Sequence, residues 1–133
     1  MSWFAKRRPP PIRSLVGDGT VVNGSLRFCE GLRIDGQVHG DVIAEGEGRS
    51  ILVIGDNGRV FGRVAASHVI IGGEVRGPVH SAELLELQPK ARVIGDVRYE
   101  LLEMHPGALI EGELKPLKNA DKPALKLAAS NDA

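Results

Sequence analysis

The chain predicts an all-β fold: a single-stranded parallel β-helix of about six triangular coils, flanked by disordered tails. Three observations carry that expectation. A phrase of aliphatic, any, glycine, any, aliphatic returns six times, the apolar residues around it keep a period of two, and coils differ in length by two residues. The phrase reads Val22-Asn23-Gly24-Ser25-Leu26, Val38-His39-Gly40-Asp41-Val42, Val60-Phe61-Gly62-Arg63-Val64, Val75-Arg76-Gly77-Pro78-Val79, Val93-Ile94-Gly95-Asp96-Val97 and Ile110-Glu111-Gly112-Glu113-Leu114. Its central glycines stand 16, 22, 15, 18 and 17 residues apart. Recurrence at such a period marks one supersecondary unit stacked on copies of itself, since a single unit has nothing to bury its apolar face against.

Taken in order, residues 1–13 form a basic and aromatic tail, and residues 14–116 form the β-helix domain. Within the domain, one coil runs Leu32, Ile34, Gly36, Val38, Gly40, Val42 on a single parity, the signature of strands with one buried face. The next inward sets are Leu52 to Val64, Val69 to Val79, Leu85 to Val97 and Leu102 to Leu114. Some of these runs span 11 residues and others 13. A step of two keeps every side chain on its face, whereas a step of one would invert them all. Between the apolar positions lie Glu74, Arg76, Glu86, Lys90, Arg92, Asp96, Arg98, Glu111 and Glu113, which form the solvent face. Recurrent glycines suit sharp corners or close backbone approach. Three short strands and three corners make an 18-residue circuit, and six circuits rising by roughly 4.8 Å give a rod of about 30 Å. The stretch Glu45-Gly46-Glu47-Gly48 reads as a bulged corner loop. Aromatic residues are few: Phe28, Phe61 and Tyr99 in the repeats, and Trp3 with Phe4 in the tail. Residues 117–133 read as a second disordered tail.

Bulk properties set the outer bounds. Net charge is zero, which argues against a nucleic-acid partner, yet residues 1–13 carry +4 and residues 14–116 carry −5. A single cysteine, Cys29, leaves no internal disulfide and suits a reducing compartment. No apolar run is long enough to span a bilayer, and prolines at 9–11 follow the basic cluster where a secretory signal would be apolar. The cytoplasm is the expected location.

The coils, the basic arm and the opening Ser14-Leu15-Val16-Gly17-Asp18-Gly19-Thr20-Val21-Val22-Asn23-Gly24 together resemble the bactofilins, a family of bacterial cytoskeletal proteins. The matching stretches are Leu32-Arg33-Ile34-Asp35-Gly36-Gln37-Val38-His39-Gly40, Val69-Ile70-Ile71-Gly72-Gly73-Glu74-Val75-Arg76-Gly77 and Ala91-Arg92-Val93-Ile94-Gly95-Asp96-Val97. The resemblance implies a right-handed β-helix that polymerises end to end, without nucleotide, into non-polar filaments. It further implies filaments on the inner face of the cytoplasmic membrane that place cell-shape or cell-wall machinery, with synthases, hydrolases or polarity proteins as partners.

Two groups of residues are singled out for function. Trp3 and Phe4, followed by Lys6, Arg7 and Arg8, combine interfacial aromatics with cations worth about 1 kcal/mol each at an anionic leaflet. They read as a peripheral membrane anchor and resemble the aromatic-basic targeting peptide of many bactofilins. The second group is the polymerisation interface: Val16, Val22, Leu26 and Phe28 in the first coil, with Met104, Leu109, Ile110 and Leu114 in the last. Solenoids normally cover their ends with a polar cap, and none is evident before residue 14 or after Pro116.

The remaining chemistry-bearing residues receive plainer readings. His39, His80 and His105 point outward by parity on different coils, and they are read, with His68, as surface rather than as ligands. Gly55-Asp56-Asn57-Gly58 and Gly17-Asp18-Gly19 are corner turns that lack the further residues of a P-loop or calcium loop. No catalytic group, metal or cofactor is expected. Two other classes compete with the polymer: a left-handed β-helix acyltransferase, suggested by the hexads Ile54-Gly55-Asp56-Asn57-Gly58-Arg59 and Val60-Phe61-Gly62-Arg63-Val64-Ala65, and a capped monomeric adaptor.

Overall fold

The computed structural model describes residues 10–117, and within them every strand pairing is parallel and no helix occurs. The first coil is β1 (Ser14–Val16), β2 (Val21–Asn23) and β3 (Leu26–Phe28). The second is β4 (Gly31–Ile34), β5 (Gln37–His39) and β6 (Val42–Ala44). The third comprises β7 (Ile51–Ile54), β8 (Arg59–Phe61) and the start of β9 (Val64–Ile71), which rounds a corner to open the fourth. The fourth adds β10 (Glu74–Arg76) and the start of β11 (Val79–Leu87), which likewise opens the fifth. The fifth closes with β12 (Arg92–Ile94) and β13 (Val97–Tyr99); the sixth is β14 (Leu101–Met104), β15 (Leu109–Glu111) and β16 (Leu114–Pro116). The result is a parallel β-solenoid of six coils with three faces.

Register shows how the period-two pattern becomes a core. On the second face Val22, Val38, Val60, Val75, Val93 and Ile110 stand one above another. The third face stacks Leu26, Val42, Val64, Val79, Val97 and Leu114. On the first face one column is Val16, Ile34, Ile54, Ile71, Leu87 and Met104. In the four middle coils these side chains are between 0% and 1% exposed, so the interior is a dry column of branched aliphatics. β-branched residues suit it because their fixed rotamers pack identically in each coil.

The two-residue differences in coil length all fall at one corner, between the first and second faces. Tight turns at Asp18–Gly19, Asp56–Asn57, Pro89–Lys90 and Pro106–Gly107 supply the extra pair, while the second and fourth coils bend there without it. Backbone bonds close each turn, as from Gly58 N–H to Gly55 O at 2.8 Å. The corner from third face to first is less regular. It holds the expected loop at 45–50 and a bulge in β11 between Ser81 and Leu84. Here strict parity fails: His68 pairs with Ile51 and Leu84 in the neighbouring coils and is only 2% exposed. His68 keeps the inward parity of Val64 and Ala66, while the next inward run starts on the opposite parity at Val69, so two adjacent buried residues mark the corner.

The recurrent glycine occupies the corner between second and third faces. At Gly62 φ is +156°, and a Cβ would lie 2.3 Å from the carbonyl oxygen of Gly40 in the coil below. Gly40, Gly77, Gly95 and Gly112 meet the same obstacle from the preceding glycine's oxygen. At Gly24, in the first coil, nothing lies within 4 Å. Beside this corner, side chains also join coils: Asp41 Oδ1 accepts from Arg63 N–H, and Asp96 Oδ1 from Glu113 N–H, both at 3.0 Å. The latter bond, ahead of the Lys115 and Arg98 charges, holds the Asp96 carboxyl below its ordinary range.

Three outcomes follow. Gly62→Ala collides with backbone as well as straining φ, and lowers the thermal midpoint far more than Gly24→Ala, which bears the dihedral cost of about 1–2 kcal/mol alone. Leu85→Ala, at a wholly buried site, costs roughly 2–5 kcal/mol in denaturant unfolding. Because the Asp96 pKa is depressed on folding, its contribution is full above the ordinary carboxylate pKa and fades as pH falls through the folded value. The stability gap between wild type and Asp96→Asn, measured by urea melts, is accordingly open at neutral pH and closes in acid.

Candidate functional site at the ends of the rod

A solenoid satisfies its backbone by pairing each strand with one above and one below, so its terminal coils keep one unpaired edge. Among the described residues, β1, β2 and β3 pair only with β4, β5 and β6, and β14, β15 and β16 only with β11, β12 and β13. The leading segment packs Pro11 and Ile12 against Gly31, at the corner where the first coil closes onto the second.

The exposed apolar side chains follow these edges. Ile12, Leu15 and Val21 stand at the first end, and Leu101, Met104, Leu109 and Leu117 at the last; among the described residues, Ile94 alone of the exposed large hydrophobics lies between. Of the residues singled out from sequence, Val16 and Phe28 are buried, while Val22, Leu26, Ile110 and Leu114 are partly covered and packed on the core. Met104, above Leu87 in a column that ends there, is 42% exposed. Leu109 differs in kind: it stands over Arg92, on the outward parity, so its exposed side chain belongs to the flank of the last coil rather than to the open core. Leu15, Val21 and Leu101, also on the outward parity at the rims of the terminal coils, were not among the residues singled out from sequence. The anchor residues Trp3, Phe4, Lys6, Arg7 and Arg8 lie outside the described residues.

The flanks offer little organised chemistry. His39 stacks on Phe61 of the next coil, with ring centroids 4.7 Å apart. Ser50 and Ser67 hydrogen-bond one another, and the Ser81 hydroxyl reaches the carbonyls of Ser67 and Leu84 at 2.9 and 2.8 Å. Each of these hydroxyls is thus engaged with another serine or with backbone, which is corner stitching rather than the nucleophile-and-base pairing of acyl-transfer sites. Burial, the largest effect, and the Arg49 guanidinium push the His68 pKa down, against the opposing Glu86 charge. Arg49 pairs with Glu83 at 3.4 Å across the same corner. Most other ion pairs, such as Arg27–Glu45 and Arg76–Glu74, are exposed and worth little individually. No helix among the described residues is long and apolar enough to cross a membrane.

Comparison with known proteins bears on this arrangement directly. Residues 14–115 match the family model of bactofilins, described as polymer-forming and cytoskeletal. Bactofilin BacO of Myxococcus xanthus is 25% identical over 111 residues, covering 84% of this chain and 85% of the relative. Bactofilin BacP of the same organism is 28% identical over 101 residues, covering 76% of this chain; the match spans only 40% of BacP. Among solved structures, a cryo-EM reconstruction of Thermus thermophilus bactofilin double helical filaments superposes with a TM-score of 0.64 at 30% identity, over 77% of this chain and 99% of that one. Six stacked coils whose terminal rims are apolar among the described residues, and a family match over the whole solenoid, lead to one conclusion: the chain belongs to the bactofilin family of polymer-forming cytoskeletal proteins.

Proposed function

We propose that this protein self-assembles end to end, without nucleotide, into non-polar filaments on the inner face of the bacterial cytoplasmic membrane, where they scaffold cell-shape or cell-wall machinery. The observation that carries the assembly step is the clustering of exposed apolar side chains at the first and last coils of the described residues. Stacking two ends pairs the unpaired strand edges and removes Met104, Ile110 and their neighbours from water, a gain in both hydrogen bonding and apolar burial. That the Thermus thermophilus relative forms double helical filaments supports filament formation by this chain. Nothing in such an interface calls for a nucleotide, because the joining surface is built from the repeat that makes the core.

Membrane attachment rests on Trp3, Phe4, Lys6, Arg7 and Arg8. One such tail binds an anionic leaflet weakly, but a filament presents many, and each bound tail raises the effective concentration of the next. Polymerisation and membrane binding then reinforce each other. Cell-wall synthases, hydrolases or polarity proteins are the partners such a scaffold would recruit through the tails or the acidic flank.

Both parts are open to test. Ile110→Arg places a charge that stacking must desolvate; by negative-stain electron microscopy it leaves dispersed particles where wild type forms filaments, with circular dichroism unchanged. Filaments from this variant would mean that the last coil is not a joining surface. Deleting residues 2–8 releases the protein from anionic liposomes in flotation assays while filaments persist, and continued flotation would remove the anchor assignment.

A further inference from the structure

The second face is the most regular surface of the rod. β2, β5, β8, β10, β12 and β15 are each three residues long and form one sheet through all six coils, in continuous register. Each strand turns its middle residue inward, which leaves two outward columns. From first coil to last, one reads Val21, Gln37, Arg59, Glu74, Arg92 and Leu109. The other reads Asn23, His39, Phe61, Arg76, Ile94 and Glu111. Val21, Ile94 and Leu109 are 54%, 36% and 51% exposed, and joining the ends of two rods leaves their outward sides uncovered.

These columns are self-complementary when a second copy is laid on them antiparallel. A two-fold axis between the third and fourth coils sets first coil against sixth, second against fifth and third against fourth. It keeps the strands of the two sheets aligned, as packed sheets require. Val21 then meets Leu109 of the second copy, apolar on apolar, and Arg59 meets Glu74. The stack of His39 on Phe61, with centroids 4.7 Å apart, meets Ile94 and the aliphatic stem of Arg76. Gln37 faces Arg92 and Asn23 faces Glu111, so each acceptor or charge finds an opposite and no like charges are opposed. Symmetry makes every match twice.

Other arrangements lack this fit. Parallel rods would set Val21 on Asn23 and Leu109 on Glu111. The antiparallel operation on the third face opposes Arg27 and Lys115, the two ends of its outward column. On the first face it sets Leu15, 62% exposed, against Glu103.

We infer that the outer side of the second face is a docking surface for a second copy of this chain, packed antiparallel along the rod. At its centre Glu74, which accepts from Arg76 at 2.6 Å and lies 3.8 Å from Arg59 in its own chain, receives Arg59 of the second copy. The two Arg59 and two Glu74 side chains around the axis form a network, in which exposed ion pairs count for more than singly. The face is narrow, so one pair of rods associates weakly, while rods joined in line engage many faces at once. The inference itself does not rest on end joining.

The test uses the full chain carrying Ile110→Arg, to keep the ends apart, and Cys29→Ser, to remove the native thiol. Val21→Cys and Leu109→Cys are added together. Within one chain these positions lie five coils, or about 24 Å, apart, too far for a disulfide; in the antiparallel pair they face each other. Mild oxidation at high protein concentration gives a covalent dimer and nothing larger, and neither cysteine alone gives one. Arg59→Glu, which opposes like charges at the axis, lowers the dimer yield roughly tenfold or more. Adding Glu74→Arg restores most of it, a rescue that damage to the fold would not show. Arg98→Glu, on the third face, leaves the yield unchanged. No cross-link, dimers from Val21→Cys alone, or a ladder beyond the dimer, which reports head-to-tail joining, overturns the inference. Filaments from the Ile110→Arg chain count against end joining and leave the dimer result to decide this surface.

Discussion

Every other property of this molecule depends on how closely one coil lies on the next. Parallel backbone hydrogen bonds fix the separation between coils, and at the corner from second to third face the chain passes so near its neighbour that a single methyl group would strike a carbonyl oxygen. Glycine is the residue that permits both that approach and the positive φ of the corner. The aliphatic columns then stack because the corners do. Val38, Val60, Val75 and Val93 are wholly enclosed because each has a copy above and below.

The same constraint makes the ends unlike the middle. A coil with neighbours on both sides is dry and fully paired, while a terminal coil with the same composition presents a strand edge and half-covered aliphatics. Met104 continues the column of Leu87 yet stands open to solvent. Gly24 has the corner conformation but nothing beneath it. Among the described residues, the terminal coils thus present at each end the same apolar column and strand edge that the middle coils enclose. This is a physical reason why a solenoid of this kind suits a polymer subunit without a separate binding module.

The flanks record a different pressure. Outward positions do not contribute to the core, so their chemistry varies from coil to coil, from an aromatic stack at His39 and Phe61 to alternating acids and bases elsewhere. What organises them is register, which lifts residues 17 or so positions apart into contact. The hydrogen bond between Glu86 and His105 exists because two coils differ by that step, and it would be lost if either gained one residue.

Much of this was legible in the sequence. The period of two identified which aliphatics face inward, the repeated glycine marked a corner, and the two-residue insertions predicted length changes that preserve facing, all of which hold within each inward run from Leu32 to Leu114. These signals are local, set by dihedral preference and by the alternation of side chains along a strand, so sequence alone determines them. The corner from third face to first was not legible. His68 is buried there and β11 bulges between Ser81 and Leu84, because an odd number of residues rounding a corner inverts parity without leaving a mark in composition. Which side chains meet across coils likewise waited on the tertiary structure. Coil lengths of 16 to 20 residues fix the vertical register only once every corner is placed, and contact between Glu86 and His105 is a property of that register rather than of either segment.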